Sequence, residues 1–389
     1  MSKLREKNTQ VLKKVLTEGP EIKAFRESFQ NSHGIDPLDA EKLPVMKEGF
    51  SFKKLKEKVA SLREADAASA YTQFLRAGVQ SIVNSMYEAT ATTFEDWVTV
   101  IPSSKDTELY APLHGVAFPR QVGPSVNYPE LGSAALDIKL QNRKYGSIYS
   151  IESELLDDDT SGQFQRQAGI MGEYLRLVAE VWVYGKLASV TGGCTYQQLL
   201  VPVSETKPSD QAVYPWTTSL NGGGANRPSG FGAFNQANLQ QGLYALMGQK
   251  NLLGIIMSVM PNRILISPKN QFDAAVLLNS SYYPTGATAG STGGAFAINP
   301  IKGVADLTVV RYMFDHLGAV NSQTTAWYLV DDSKPWFVLQ MREAVTVQQE
   351  SPVAGTSFEK DEIRFKARSR FNADFIDPRF AWQGNNGSV

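Results

Sequence analysis

The stretch Leu136–Ser189 does most to limit what this chain can fold into. It opens with Leu136, Ile138 and Leu140 separated by Asp137 and Lys139, the period of two of a half-buried strand. A second extended run, Tyr145–Ile151, follows. Ser153–Ser161 then leads Glu154, Asp157, Asp158 and Asp159 into a helix expected over Thr160–Ser189. On that helix Phe164, Ala168, Met171, Leu175, Val178 and Trp182 are spaced 4, 3, 4, 3 and 4 residues apart, which makes one continuous apolar stripe. Thr160 with Gln163 fits a capping box, and Asp159 with its acidic neighbours lies where the helix dipole favours negative charge. No other apolar stripe in the chain is as long, so this helix is expected to be the mechanical backbone of its unit.

The flanking segments read less regularly. Ala67–Thr90 is a second amphipathic helix, marked by Tyr71, Phe74, Leu75, Val79, Ile82 and Met86, and Phe94–Ile101 reads as a strand. Between Pro102 and Gly132 lie Pro102, Pro112, Pro119, Pro124 and Pro129, with the aromatics Tyr110, Phe118 and Tyr128. A central strand cannot hold that many prolines, because each removes a ladder donor. A long two-stranded excursion can; an irregular surface loop with no interface role is the alternative. Met1–Asp66 has short helical pieces broken by Gly19-Pro20, Gly34 and Asp36-Pro37, and reads as an arm without a core of its own. Leu200–Gly232 and Thr285–Gly294 are polar, glycine-rich loops. Leu239–Ile256 reads as a helix, Pro261–Pro268 as a short buried strand and Lys269–Leu278 as another helix. Ile301–Phe314 and Ala326–Val347 are strand-rich, Asp361–Pro378 reads as closing strands, and no internal repeat is present.

Composition excludes several classes of function. The 389 residues are 42% hydrophobic, enough for two or three compact units and too many for a disordered chain. A net charge of −1 argues against a dedicated nucleic-acid binder, which needs a basic excess to neutralise phosphates. The single cysteine, Cys194, forms no disulfide framework and points to a reducing place of synthesis. The charged start carries no signal peptide, and no run reaches the ~18–20 apolar residues of a membrane span. His33, His114 and His316 are far apart and in no metal-binding spacing. Glu152, Glu154 and Asp157–Asp159 could supply a carboxylate pair or bind a cation, but acidic residues before a helix are expected for capping alone. The glycine-rich runs fail the phosphate-loop spacings: Arg227 breaks one, and no Lys-Ser/Thr follows the other. No catalytic, cofactor-binding or metal-ligating residue is assigned.

The order of strand, Ser153-Glu-Leu-Leu-Asp-Asp-Asp turn and long helix, then helix, short strand, Ser267-Pro268 and helix, then the closing Asp361–Pro378 run, resembles the major capsid proteins of tailed bacteriophages with the Hong Kong 97-like fold. The resemblance covers roughly Tyr71 to Gln383 and implies an α+β chain. It implies an N-terminal helical arm at 1–70 and a peripheral domain from 71–101, 136–199 and 325–389, with the spine helix at 160–189. An extended loop at 102–135 and an axial domain at 200–324 complete the arrangement. It further implies that the chain itself, as pentamers and hexamers, tiles an icosahedral shell around double-stranded DNA, without enzymatic activity, cofactor or membrane. Portal, scaffolding and decoration proteins are the other partners implied, and the virion is the location, after synthesis in the bacterial host cytoplasm. Phe118, Arg120 and Tyr128 on the loop are the implied assembly contacts. Some members lock the shell through a loop lysine, but no lysine lies between Lys105 and Lys139 here, so non-covalent contacts alone are expected. Two rival readings are an encapsulin-type nanocompartment shell, which has the same fold and usually lacks a long polar N-terminal segment, and a β-rich hydrolase using the Glu152–Asp159 carboxylates.

Overall fold

The structure is a computed structural model that describes residues 4–8, 10, 27, 30, 64–110, 138–152, 163–188, 234–250, 255–285, 295–311, 327–350 and 362–384. Four of its helices position everything else: α1 (Glu64–Ala89), α2 (Gln163–Ala188), α3 (Gln236–Met247) and α4 (Gln271–Asn279). Its strands are β1 (Thr99–Pro102), β2 (Thr107–Tyr110), β3 (Ile138–Gln141), β4 (Arg143–Glu152), β5 (Arg263–Ile266), β6 (Tyr282–Thr285), β7 (Ala295–Ile298) and β8 (Asp306–Val309), followed by β9 (Trp327–Val330), β10 (Phe337–Gln349), β11 (Glu362–Phe375) and β12 (Ala381–Gly384). The chain is α+β, as expected.

One four-stranded sheet has the order β1-β10-β11-β4, with β1 parallel to β10 and the other pairs antiparallel. Alternation along β11 explains its two faces. Phe365, Ala367, Ser369 and Phe371 are buried, while Arg364, Lys366, Arg368 and Arg370 point the other way. The buried face carries α1 and α2: Leu75, Val79, Val83 and Tyr87 of α1 meet Phe164, Ala168, Met171 and Leu175 of α2 over Val345, Val347, Phe365 and Ala367. The two helices touch through backbone. A Cβ at Gly172 would overlap the Val83 carbonyl and lie 3.1 Å from its Cα.

The second four-stranded sheet has the order β12-β9-β5-β8, and its central strands β5 and β9 are buried along their whole length. An aromatic core runs unbroken between the two sheets, from Trp97, Trp336, Phe337 and Phe375 through Trp182 and Tyr145 to Trp327 and Trp382. Trp97 stacks on Trp336 with centroids 5.3 Å apart, and Trp327 tilts against Trp382 at 5.0 Å. These contacts anchor both sheets by burial of large rings.

Several expectations are corrected. Phe94–Ile101 is not one strand: Phe94–Asp96 is a 3-10 turn, closed by Trp97 and Val98 amides donating to Phe94 O, and β1 begins at Thr99. Phe94, Trp97 and Val98 are buried at helical spacing, which overrides a period-two reading. The helix expected to reach Ile256 stops at Met247, where Gly248 caps it and its amide donates to Tyr244 O. Within residues 301–311, the described part of the strand-rich stretch Ile301–Phe314, Asp306–Val309 is extended, after a turn with Gly303 at φ 70°. On α1 the buried face is Leu75, Val79, Val83 and Tyr87, so Met86 is left partly exposed. The described strands of 325–389 divide between the sheets: β10 and β11 lie in the first, while β9 pairs with β5 and β12 with β9 in the second.

Candidate assembly surface

Three features of the described residues bear on how this chain could meet another copy. The first is the β2–β3 ladder. β2 and β3 pair antiparallel with Tyr110 opposite Ile138, so the two ends of the proline-rich stretch meet in one two-stranded ladder. Its polar residues brace it against the first sheet. The Ser103 amide donates to Met341 O (2.9 Å), Tyr110 Oη donates to Gln340 Oε1 (3.0 Å) and Asn372 Nδ2 donates to Gln141 O (2.7 Å). Asn142 Nδ2 reaches back to Ser103 Oγ (3.0 Å) and Lys105 O (2.8 Å). Asp106 takes a guanidinium from each long strand, Arg342 and Arg370, both at 3.3 Å. Burial, helped by the charge of Glu108, pushes the Tyr110 phenol up to about 12, so it stays a hydrogen-bond donor. The Lys105 backbone N–H holds the Glu108 carboxyl below its ordinary value. Leu109 between them is exposed.

The second feature is apolar surface beside the second sheet. Ala274, Leu277 and Leu278 bury one side of α4, yet Phe272 (77% exposed) and Val276 line another side, one turn apart. Tyr282 and Ile298 (81% exposed) face each other across the β6–β7 ladder. Asn299 ties this hairpin to the helix end, donating to Leu277 O (2.6 Å) and Ser280 O (2.9 Å). Scattered exposed hydrophobics are ordinary, but large side chains grouped on neighbouring elements mark an interaction surface. Tyr244 and Met247 on α3 add a further exposed apolar pair at a spacing of three.

The third is a buried polar cluster that seats α2. Arg176 pairs with Glu95, whose carboxylate also accepts from Thr92 Oγ1. Glu180 accepts from the amide (3.1 Å) and hydroxyl (2.6 Å) of Thr93, and Trp97 Nε1 donates to Tyr184 Oη (3.2 Å). Burial drives the Glu180 carboxyl up despite these bonds and the charges of Arg311 and Arg176. The Tyr184 phenol is likewise raised by burial. Its members are buried or half-buried, and their bonds fasten α2 to the 92–97 segment.

Of the residues singled out from sequence, Phe118, Arg120, Tyr128, Asp159 and Thr160 lie outside the described residues. Gln163 begins α2 and is exposed. Phe164, Met171, Leu175 and Trp182 are buried, and Val178 packs half-buried on the aromatic core. Trp182 Nε1 donates to Asn372 Oδ1 at 2.8 Å, which pins α2 to β11. Sequence reading missed Asp106 with Arg342 and Arg370, whose meeting depends on strand register. It also missed Phe272 and Val276, which look like core residues in a helix apolar on more than one side. Among the described residues no group of three or more His, Cys, Asp or Glu is placed to hold a metal, and no helix is long and apolar enough to cross a membrane.

Comparison with known proteins bears on the same question. Residues 72–201 match the family described as Mu-like prophage major head subunit gpT. Solved structures similar to the chain include the capsid of the native GTA particle, at 13% identity over 76% of this chain and 90% of that chain, with a TM-score of 0.47. The virus-like particle from Pyrococcus furiosus is similar at 12% identity over 79% and 98%, with a TM-score of 0.42. The procapsid of bacteriophage JBD30 is similar at 15% identity over 84% and 76%, with a TM-score of 0.38. No curated protein matches significantly. The family described as phage capsid protein matches residues 137–383, well over half of the chain and the whole span from β3 through β11, and the chain belongs to that family.

Proposed function

We infer that this chain is a major head protein that closes on itself, as pentamers and hexamers, into an icosahedral shell around double-stranded DNA. The observation that carries the reading is the phage capsid family match over 137–383, which includes the long helix and the strands of the two four-stranded sheets other than β1 and the last residue of β12. The exposed Phe272, Val276, Tyr282 and Ile298 support it, because a monomer gains nothing from leaving them in water. Weak heterologous contacts between different patches of one chain suffice when a ring closes and many act together. The peripheral unit is then the first sheet with α1 and α2, and the axial unit the second sheet with α3 and α4. Phe118, Arg120 and Tyr128 on the loop reach a neighbouring subunit. Portal and scaffolding proteins, and a decoration protein outside, are the other partners, and the reading assigns the chain no catalysis. Assembly takes place in the bacterial host cytoplasm and the product resides in the virion.

Electron microscopy of the purified chain tests this. Closed particles are expected, and Phe272→Asp with Ile298→Asp should leave a folded chain that does not close them. A wild-type chain that stays a small oligomer at every concentration overturns the reading. Boiled in detergent, particles should give one band near 42.8 kDa, since 102–135 holds no lysine beyond Lys105; a ladder would show a covalent shell.

A further inference from the structure

Two carboxamides lie on the central strands of the first sheet. Gln340 of β10 and Asn372 of β11 stand opposite each other, and both are fully buried. A buried carboxamide needs partners for its oxygen and for its nitrogen. Gln340 turns both ends to the β2–β3 ladder: Oε1 accepts from Tyr110 Oη (3.0 Å) and Nε2 donates to Leu140 O (3.4 Å). Asn372 is shared between two elements. Its Oδ1 accepts from Trp182 Nε1 of α2 (2.8 Å) and from the Ala373 amide (2.9 Å), which leaves Nδ2 to donate to Gln141 O (2.7 Å).

The carbonyl of Gln141 belongs to a peptide group whose N–H is that of Asn142, and this N–H donates to Asp106 O (2.8 Å). Three short hydrogen bonds therefore run head to tail from the Trp182 indole to the turn between β1 and β2. They pass through two amide groups, each accepting at its oxygen and donating at its nitrogen. Amides aligned in this way polarise one another, by about 10–30% per bond, so each bond gains from the others. The β10–β11 register slips just past this point, between Met341 and Glu343, and Arg342 in that bulge pairs with the Asp106 carboxylate.

We propose that Asn372 couples α2 to the β2–β3 ladder: the Trp182 indole fixes the carboxamide in the orientation that holds the ladder, so displacing either element loosens the other. The two states are the ladder seated on the first sheet and the ladder lifted from it. Such a coupling is reciprocal. A partner that grips the ladder tightens the seat of α2, and one that shifts α2 releases the ladder. Tyr110 with Gln340 is a brace on the same ladder that bypasses Trp182. The inference concerns a single chain and does not rest on shell formation.

Hydrogen exchange in the dilute full-length chain, read at the Asn142 amide, tests the coupling. The β5 and β9 amides should exchange more slowly than Asn142 in every variant and report on folding. Trp182→Phe keeps an aromatic ring and removes the N–H, and should speed exchange at Asn142 roughly threefold or more. The same substitution should still do so in a Tyr110→Phe chain. In an Asn372→Leu chain, which keeps the shape of the side chain, it should add less than about 1.5-fold, because the link is already cut. Exchange of the Asn372 carboxamide protons gives a reading that needs no change at 372: they should be protected in the wild-type chain and markedly less so in Trp182→Phe. Four results each overturn the proposal: Asn142 exchange indifferent to Trp182→Phe, an equal acceleration with and without Asn372, Asn372 protons indifferent to Trp182→Phe, or a wild-type Asn142 amide no faster than those of β5 and β9.

Discussion

Two glycines one turn apart on α2 should respond to the same substitution with opposite signs. Replacing glycine by alanine inside a helix gains about 0.8–1 kcal/mol from backbone propensity alone. At Gly169 less opposes that gain, because the added Cβ would press on a side chain rather than backbone, 3.1 Å from Met86 Cγ, and the partly exposed Met86 can shift by the few tenths of an ångström required. Gly169→Ala should therefore stabilise by up to about 1 kcal/mol. At Gly172 the Cβ would run into the Val83 carbonyl, with the Val83 Cα 3.1 Å away. Backbone cannot rotate aside, so α1 and α2 must separate, loosening the Leu75, Val79, Met171 and Leu175 contacts. Overpacking of this kind costs about 2–3 kcal/mol, which leaves Gly172→Ala destabilising by about 1–2 kcal/mol after the propensity gain. Urea unfolding of the dilute, unassembled chain measures both, with the wild type as reference. If the two variants shift in the same direction, the close approach of α1 to α2 is not what fixes Gly172.

Other expectations follow from the same contacts. Trp182→Ala should cost about 3–5 kcal/mol, because the 2% exposed indole fills the space beside Tyr145 and its N–H bonds Asn372; an unchanged melting temperature would refute its place in the core. Glu180 has a folded value raised above 4.5, so the folded state holds its proton more tightly and stability from this group falls as pH rises from about 4.5 through the raised value. Glu180→Gln should thus gain on the wild type between pH 4.5 and 8 in urea midpoints, and a gap constant with pH would refute the assignment. Asp106→Ala should cost under about 1 kcal/mol and lose that effect in 1 M salt, since its arginine pairs are half exposed; a larger, salt-independent loss in thermal melts would contradict this.

The long helix was legible because its stripe repeats at 3.6 residues over many turns, and β11 because it alternates for most of its length. β5 announced itself as an apolar run closed by proline. What stayed hidden depends on partners distant in sequence. Short apolar runs such as Trp327–Val330 carry no sign of which sheet they join, so the pairing of β9 with β5 and of β12 with β9 could not be read from them. Phe94, Trp97 and Val98 sit in a stretch short enough for strand and turn to look alike. In a segment of lysines and glutamates, Asn8 has no local signature, because what buries it comes from Glu95–Val100. The loop contacts Phe118, Arg120 and Tyr128 and the cap residues Asp159 and Thr160 lie beyond the described residues and remain expectations.

The wiring of the first sheet sets a timetable for the chain on the ribosome. Among the described residues β1 and β4 pair only with β10 and β11, Tyr110 finds Gln340 across 230 positions, and Arg76 finds the Val347 carbonyl across 271. At elongation speeds of about 5–20 residues per second, the β2–β3 ladder waits roughly 10–50 s for the strands that brace it. Until β11 emerges, the apolar sides of α1 and α2 have no sheet to cover them, and pairings this far apart in sequence form slowly. Translation therefore works as a timer: a nascent chain cannot offer neighbours a braced ladder before almost all of it has been made. Stalled or truncated products that lack β11 are expected to be chaperone clients rather than defective building blocks.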